Sequence, residues 1–315
     1  METPQNSSQW ERSVLEKIAL DGLAEQRRRR RWGIFFKLLG FIYLGVILGY
    51  VIDWGRPADK LGDGGHTALV QLNGVIQATG DASADSVISG LQAAFEDKGT
   101  KGVILRINSP GGSPVQSGMI NDEIWRLRAL HPNIPLYVVV EDICASGGYY
   151  VASAANKIFV DKASIVGSIG VLMDGFGFTG TMEKLGVERR LLTAGKYKGF
   201  LDPFSPQDAQ QKAYAQVMLD DIHQQFIDAV RKGRGKRLKE TPETFSGLMW
   251  TGAKSVEMGL ADGYGTVDSV ARDVIKASEV RDYTVKQNLA EKFAKQIGAQ
   301  VSGGVVNALT RMTLR

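Results

Sequence analysis

The chain of 315 residues has a single cysteine, Cys144, and three histidines. One thiol excludes an intrachain disulfide and any multi-cysteine metal site, and it leaves the redox compartment open. Charge of one sign is also scarce. Lys and Arg total 38 against 34 Asp and Glu, a formal net charge of +4, and part of that excess is one run, Arg27 to Arg31. The remainder is close to neutral, which argues against a nucleic-acid footprint spread over a face. No short-period internal repeat is evident, and neither glycine-rich turn continues into Gly-Lys-Ser/Thr, so a phosphate loop is excluded.

What is present begins with an apolar run. Trp10 to Ala24 carries apolar residues at roughly helical spacing, then come the arginines, and Trp32 to Ile52 reads as about one bilayer thickness of helix. Lys37, near the arginine end, is placed to snorkel toward headgroups. The arginines on the N-terminal side predict an uncleaved anchor with a cytoplasmic N-terminus and the bulk of the chain outside. The expected organisation is a cytoplasmic segment 1–31, a transmembrane anchor 32–52 contacting lipid, a Gly/Asp-rich linker 53–67, a catalytic domain 68–275 and a helical tail 276–315. In the tail Leu289, Phe293, Ile297 and Val301 fall four apart, as on a packing, subunit-contact or lipid-surface helix.

Beyond the linker, strand and helix patterns alternate. Ala68 to Ile76, Gly102 to Ile107, Leu136 to Val140, Lys157 to Val160 and Gly170 to Met173 read as strands; Ala84 to Phe95 and Ser117 to Leu130 read as helices, and an Ala-rich helix follows Ser146. That order predicts an α/β fold with a largely parallel sheet. A long helix is expected over Ser205 to Arg231, with Ser205 as N-cap, Pro206 in the first turn and an apolar face of Tyr214, Met218, Ile222, Phe226 and Val230.

Two glycine-rich turns follow predicted strands, where open α/β sheets bind ligands. Cys144-Ala145-Ser146-Gly147-Gly148 opens a helix, so Ser146 lies among unpaired backbone N–H groups. A serine there also serves as an ordinary N-cap. Asn108-Ser109-Pro110-Gly111-Gly112 has two glycines that let backbone approach a ligand, as an oxyanion donor must; paired with the N–H of Gly147, one of them would complete a two-donor hole. A serine nucleophile needs a base, and the histidines suit poorly: His66 lies in the linker, His131 in a helix-end loop and His223 inside the long helix. Lysine serves instead where burial populates the neutral amine, and Thr193 to Phe200 offers Lys196 and Lys198.

Taken together, Asn108 to Gly112, Ala145 to Tyr150, Gly167-Ser168-Ile169-Gly170-Val171, Gly195-Lys196-Tyr197-Lys198 with Asp202 to Pro206, and Thr251 to Lys254 through Gly259 to Asp262 resemble the signal peptide peptidase A family over about residues 68–275. The resemblance implies a Clp protease/crotonase-like fold of repeated strand-helix units and a Ser-Lys dyad. Its nucleophile falls on Ser146, its lysine on Lys198, and its oxyanion donors on the N–H groups of Gly147 and Gly112, with Gly111 adjoining. Ser168 falls where some members place a hydroxyl near the lysine, and Lys196 becomes a surface neighbour. The chain resembles the short, ring-forming type, in which serine and lysine meet between neighbouring copies. The implied activity is a serine endopeptidase needing no metal or organic cofactor, acting on remnant signal peptides and other apolar peptides at the outer face of the cytoplasmic membrane. Two other readings share parts of this pattern: a crotonase-like acyl-CoA enzyme, which would need a site for adenine and pantetheine and no anchor, and a non-catalytic membrane scaffold.

Overall fold

The computed structural model describes residues 5–54 and 65–286, and in the first stretch the side chains of 16, 17, 20 and 26–47. The chain divides into two compact units, residues 1–62 and 63–315. The expected tail helix, with Leu289 to Val301, and most of the linker fall outside the described residues.

The first unit contains one helix, α1 (Gln5–Trp54), which merges the expected amphipathic segment, the arginine run and the apolar stretch. Large apolar side chains are exposed along it, among them Trp32, Phe36, Phe41, Ile42 and Leu44. Among the described residues no helix is long and apolar enough to cross a membrane.

The second unit is α/β. Its elements are β1 (His66–Asn73), α2 (Ala84–Glu96), β2 (Thr100–Ser109), α3 (Pro114–Leu130), β3 (Leu136–Ala145), α4 (Gly147–Ser153), β4 (Lys157–Val160), β5 (Ile165–Gly167), α5 (Thr179–Lys184), α6 (Ala209–Arg234), β6 (Met249–Thr251), α7 (Gly252–Glu257), β7 (Gly263–Tyr264), α8 (Val267–Ser269) running into a π-turn (Val270–Ile275), and β8 (Val280–Asp282). The strands form one sheet in the order β6-β5-β3-β2-β1-β8, with β4 pairing to β3 and β7. Every pairing is parallel except β5 with β6. A parallel-dominated α/β sheet fits the expected fold class.

β1 and β2 read as apolar runs because both faces of the sheet are covered. One face packs under α2, α3 and α4 through Val70, Leu72, Leu105, Ile107, Val138, Val140, Ile120 and Ile124. The other carries a smaller cluster of Leu69, Ile104, Val139 and Phe159 under Val270 and Ala271. β3 pairs with β4 over Tyr137 to Val139 and with β5 over Ile143 to Ala145. The sheet therefore divides beside the turn that ends in Ser146.

Two local expectations are corrected. Gly170 to Met173 forms no strand; the strand lies earlier, at β5, and the chain then leaves the sheet. The long helix begins at Ala209 with Asp208 as its N-cap, the carboxylate accepting from the N–H groups of Gln210 and Gln211. Ser205 instead donates its hydroxyl to Asp202, 2.7 Å away. Asp208 prevails because a carboxylate accepts from two N–H groups at once and complements the helix dipole.

The C-terminal end of α6 is fixed by a buried charge cluster. Arg234, almost wholly buried, donates to Asp262 at 2.7 Å and to the Gly259 carbonyl at 2.8 Å. Arg237 adds a contact to the same carboxylate at 3.1 Å, and the N–H of Ile158 donates to it at 2.7 Å. Burial works to raise the Asp262 carboxyl, but its hydrogen bond to Arg234 and the charges of Arg234 and Arg237 outweigh burial and hold it below the usual carboxylate value.

Candidate active site

The two glycine-rich turns end the neighbouring strands β2 and β3, so the parallel pairing alone brings them together at the carboxyl edge of the sheet. Asn108 ties one to the other: its Nδ2 donates to Asp142 at 3.1 Å and its Oδ1 accepts from the Ile143 N–H at 3.3 Å. The Ser109 hydroxyl donates to the Gly74 carbonyl at 2.6 Å and accepts from the Gly111 N–H at 3.1 Å.

The contact between the turns admits no side chain. A Cβ on Gly111 would lie 2.7 Å from both the Gly147 nitrogen and the Ser146 Cβ. At Gly112, where φ is +147°, a Cβ would lie 2.1 Å from the Ile76 carbonyl oxygen; at Gly147 it would lie 2.4 Å from Ser117 Oγ and 3.3 Å from the Gly112 nitrogen. Ile76 bridges to Gly112 by donating its N–H to Gly111 and accepting from Ser113. Among the described residues, neither the Gly112 nor the Gly147 N–H has a hydrogen-bond partner. Two adjacent unpaired donors are the arrangement that receives an oxyanion.

Ser146 lies beside them in an uncommon conformation. Its φ is +50° and its ψ −123°, and although it occupies the N-cap position of α4 its side chain makes no capping bond. The capping alternative is thereby removed. Such a backbone costs a non-glycine residue on the order of 1–3 kcal/mol, which surrounding bonds must hold in place. They do: the Ser146 N–H donates to Gly167 at 2.8 Å and its carbonyl accepts from Tyr150 at 3.0 Å.

Ser146, Gly112, Gly147 and Ser168 line a common cavity of about 480 Å³. Its remaining walls include Pro114, Tyr150, Val171, Leu172, Ile222 and Phe226, which make it mostly apolar. The Phe226 ring packs on Tyr150 at 5.0 Å. Ile222 and Phe226 read in the sequence as part of a helix stripe facing the core, since four-residue spacing does not tell a core wall from a cavity wall. Gly111 does not line the cavity. Ser168 is a second residue with positive φ, at +52°.

Lys198 stands elsewhere. It is exposed, lies in a turn with its N–H donating to Gly195 at 3.1 Å, and does not line the cavity. Among the described residues no hydrogen bond joins it to Ser146. Lys196 is exposed and sits 4.8 Å over the Tyr197 ring. The loop from Leu172 to Phe204 that carries both lysines is braced by Asp202, which accepts from Arg189 and Ser205, and by stacking of Phe178 on Phe204.

The histidines have other partners. His66 is buried, with Nε2 2.9 Å from the Tyr283 hydroxyl, and burial first, then the charge of Arg281, lowers its pKa. His131 ends α3, and His223 faces the Ile169 carbonyl at 3.1 Å. Burial pushes the Cys144 thiol well up, leaving it inert.

The Peptidase family S49 model matches residues 128–281, a span that holds Ser146, Ser168 and Lys198 but begins after Gly112. A Na(+)/H(+) antiporter NhaA of Brucella melitensis is 44% identical over 209 residues, covering 65% of this chain and 28% of that protein. A putative signal peptide peptidase SppA of Enterococcus faecium is 31% identical, over 69% of this chain and 64% of the relative. A putative protease of Synechocystis is 32% identical, over 63% of this chain and 69% of the relative. The chain thus spans under a third of the antiporter and about two thirds of the other two. The family-model match and a protease relative more than 30% identical over 69% of its own length together show that the chain belongs to peptidase family S49.

Proposed function

We propose that this chain is a membrane-anchored serine endopeptidase in which Ser146 attacks the peptide carbonyl and Lys198 of a neighbouring copy is the general base. The observation that carries the reading is the strained Ser146, relieved of any capping role and set in one cavity with the unpaired N–H groups of Gly112 and Gly147. As Ser146 Oγ attacks, its proton passes to a neutral lysine amine, and the carbonyl oxygen, now negative, accepts from the two N–H groups. The ammonium so formed then gives that proton to the departing nitrogen and returns to the neutral amine. Water, deprotonated by the same lysine, releases the acyl group.

Sharing of the dyad is supported by where Lys198 lies. Within one copy it is exposed and outside the cavity. Its loop also displays large apolar side chains without cover, including Leu172, Phe176, Leu185 and Leu192, each at least 72% exposed. Apolar surface on that scale favours association, and a head-to-tail ring of copies would bring each lysine loop to the next Ser146. An amine accepts a proton only when neutral, a state that burial against a neighbour favours.

The substrates we propose are signal peptides and other apolar peptides. The printed name of the Enterococcus relative supports this, as do Val171, Leu172, Ile222 and Phe226 in the cavity wall. Anchoring through residues 32–52, with the catalytic unit outside the cytoplasm, rests on the apolar stretch behind the arginine run. A reporter active only outside the cytoplasm, fused after Thr67, should be active; activity of a cytoplasm-only reporter there would reverse the topology. The function itself is tested by incubating purified protein with a synthetic signal peptide and reading product masses. Internal cleavage is expected from the wild type and none from Ser146→Ala.

A further inference from the structure

The last residue of β5 and the two that follow it are each held by a hydrogen bond. The Gly167 carbonyl accepts from the Ser146 N–H at 2.8 Å, the Ser168 N–H donates to the Leu248 carbonyl at 2.8 Å, and the Ile169 carbonyl faces His223 Nε2 at 3.1 Å. Gly167 turns at φ +111°, which glycine adopts freely, but Ser168 is held at φ +52°, so the segment does not keep this path by local preference alone and external bonds must impose it. Of the three bonds, only the last comes from a side chain. A carbonyl oxygen accepts and never donates, so Nε2 carries the proton, and it does so whether or not the ring is charged. The partner is well placed: α6 supplies Ile222 and Phe226 to the cavity wall, and His223 stands between them in sequence.

We infer that His223 is a positioning residue for the reaction: by holding the Ile169 carbonyl it fixes Ser168 and, through Gly167, the backbone of Ser146, while joining them to the helix that walls the cavity. This rests on the peptidase reading above. His223 neither lines the cavity nor touches the reacting atoms. Its removal should therefore slow the chemical step more than it weakens peptide binding, because small displacements of a nucleophile are costly to rate.

The test compares His223→Leu, His223→Glu and His223→Gln in the full-length oligomer. Readouts are kcat and KM on a synthetic signal peptide, the rate of Ser146 labelling by a fluorophosphonate, and the melting temperature. Glutamine can donate to the Ile169 carbonyl; glutamate, of the same size, offers it no proton at neutral pH. That pair remains informative if the leucine variant fails to fold. Leucine and glutamate are expected to lower kcat and the labelling rate together by about tenfold or more, with KM within about twofold, and glutamine to restore most of the loss. Wild-type rates in the glutamate variant, a change confined to KM, or glutamine as poor as glutamate at equal melting temperature would overturn the role of His223 and leave the peptidase reading intact. A wild-type protein that neither cleaves the peptide nor takes the label would overturn the reading on which it rests.

Discussion

The Ser146 turn and the Lys198 loop belong to one reaction in our reading, yet the fold treats them oppositely. The turn is built on two central parallel strands, excludes any side chain at Gly111, Gly112 and Gly147, and bonds the strained Ser146 to Gly167 and Tyr150. The loop leaves the sheet after β5 and exposes Leu192 at 97% and Phe176 at 79%, along with the lysine itself. One half is preorganised by the chain that carries it. The other exposes its apolar side chains and its lysine, and on the reading proposed above the site would be completed by a neighbouring copy.

Substitutions in the two halves should differ in kind. Ser146→Ala and Lys198→Ala should each lower kcat/KM on a signal peptide by about 10⁴-fold or more, since members of a catalytic unit fail together. Lys198→Arg should be as damaging, because a guanidinium stays protonated. Near-normal turnover in the serine variant would move the nucleophile, with Ser168 next to be tried.

Gly112→Ala comes second. Its Cβ would meet the Ile76 carbonyl at 2.1 Å, so the donor must move, and loss of one oxyanion donor costs about 10²–10³-fold in kcat. Peptide kinetics on folded protein reads the effect, and an unaltered kcat would exclude that N–H from the site.

The framework of the catalytic unit should show its own dependence on charge. Asp262→Asn leaves the buried Arg234 without its counter-ion, a loss of about 3–5 kcal/mol by denaturant unfolding. The sign with pH follows from the lowered Asp262 value. Its contribution is complete above the unfolded carboxylate pKa of 3.8 and declines as pH falls through the lower folded value. His66, lowered by burial and Arg281 against the opposing pull of Asp97 and Glu279, acts in the same sense from about pH 6.5 downward. Part of the acid sensitivity below about pH 6.5 should therefore disappear in His66→Gln. Lys196→Ala should have the smallest effect, within about threefold in kcat/KM, as for an exposed side chain outside the dyad. A loss matching that of Lys198→Ala would shift the base by two residues.

The sequence carried the turns more clearly than the loop. Gly111, Gly112 and Gly147 are legible because close backbone approach leaves glycine no substitute, and β1 to β3 because buried parallel strands are continuously apolar. The cavity walls were not: Ile222 and Phe226 obey the same spacing that packs a helix on a core. The start of α6 was misplaced because Ser205 and Asp208 are both capping residues three apart, and only the structure shows Ser205 bound to Asp202. Lys198 is singled out by a family pattern alone. Nothing in its neighbours marks it as a base, since within one copy it is exposed and outside the cavity.

Mixed oligomers test the division of the site most directly. A Ser146→Ala chain still offers Lys198, and a Lys198→Ala chain still offers Ser146. In a ring assembled at random from equal amounts, about a quarter of the sites should regain both groups, and with them about a quarter of the wild-type peptide hydrolysis. Hetero-oligomers verified by two affinity tags that hydrolyse no more than either variant alone would contradict a dyad shared between copies.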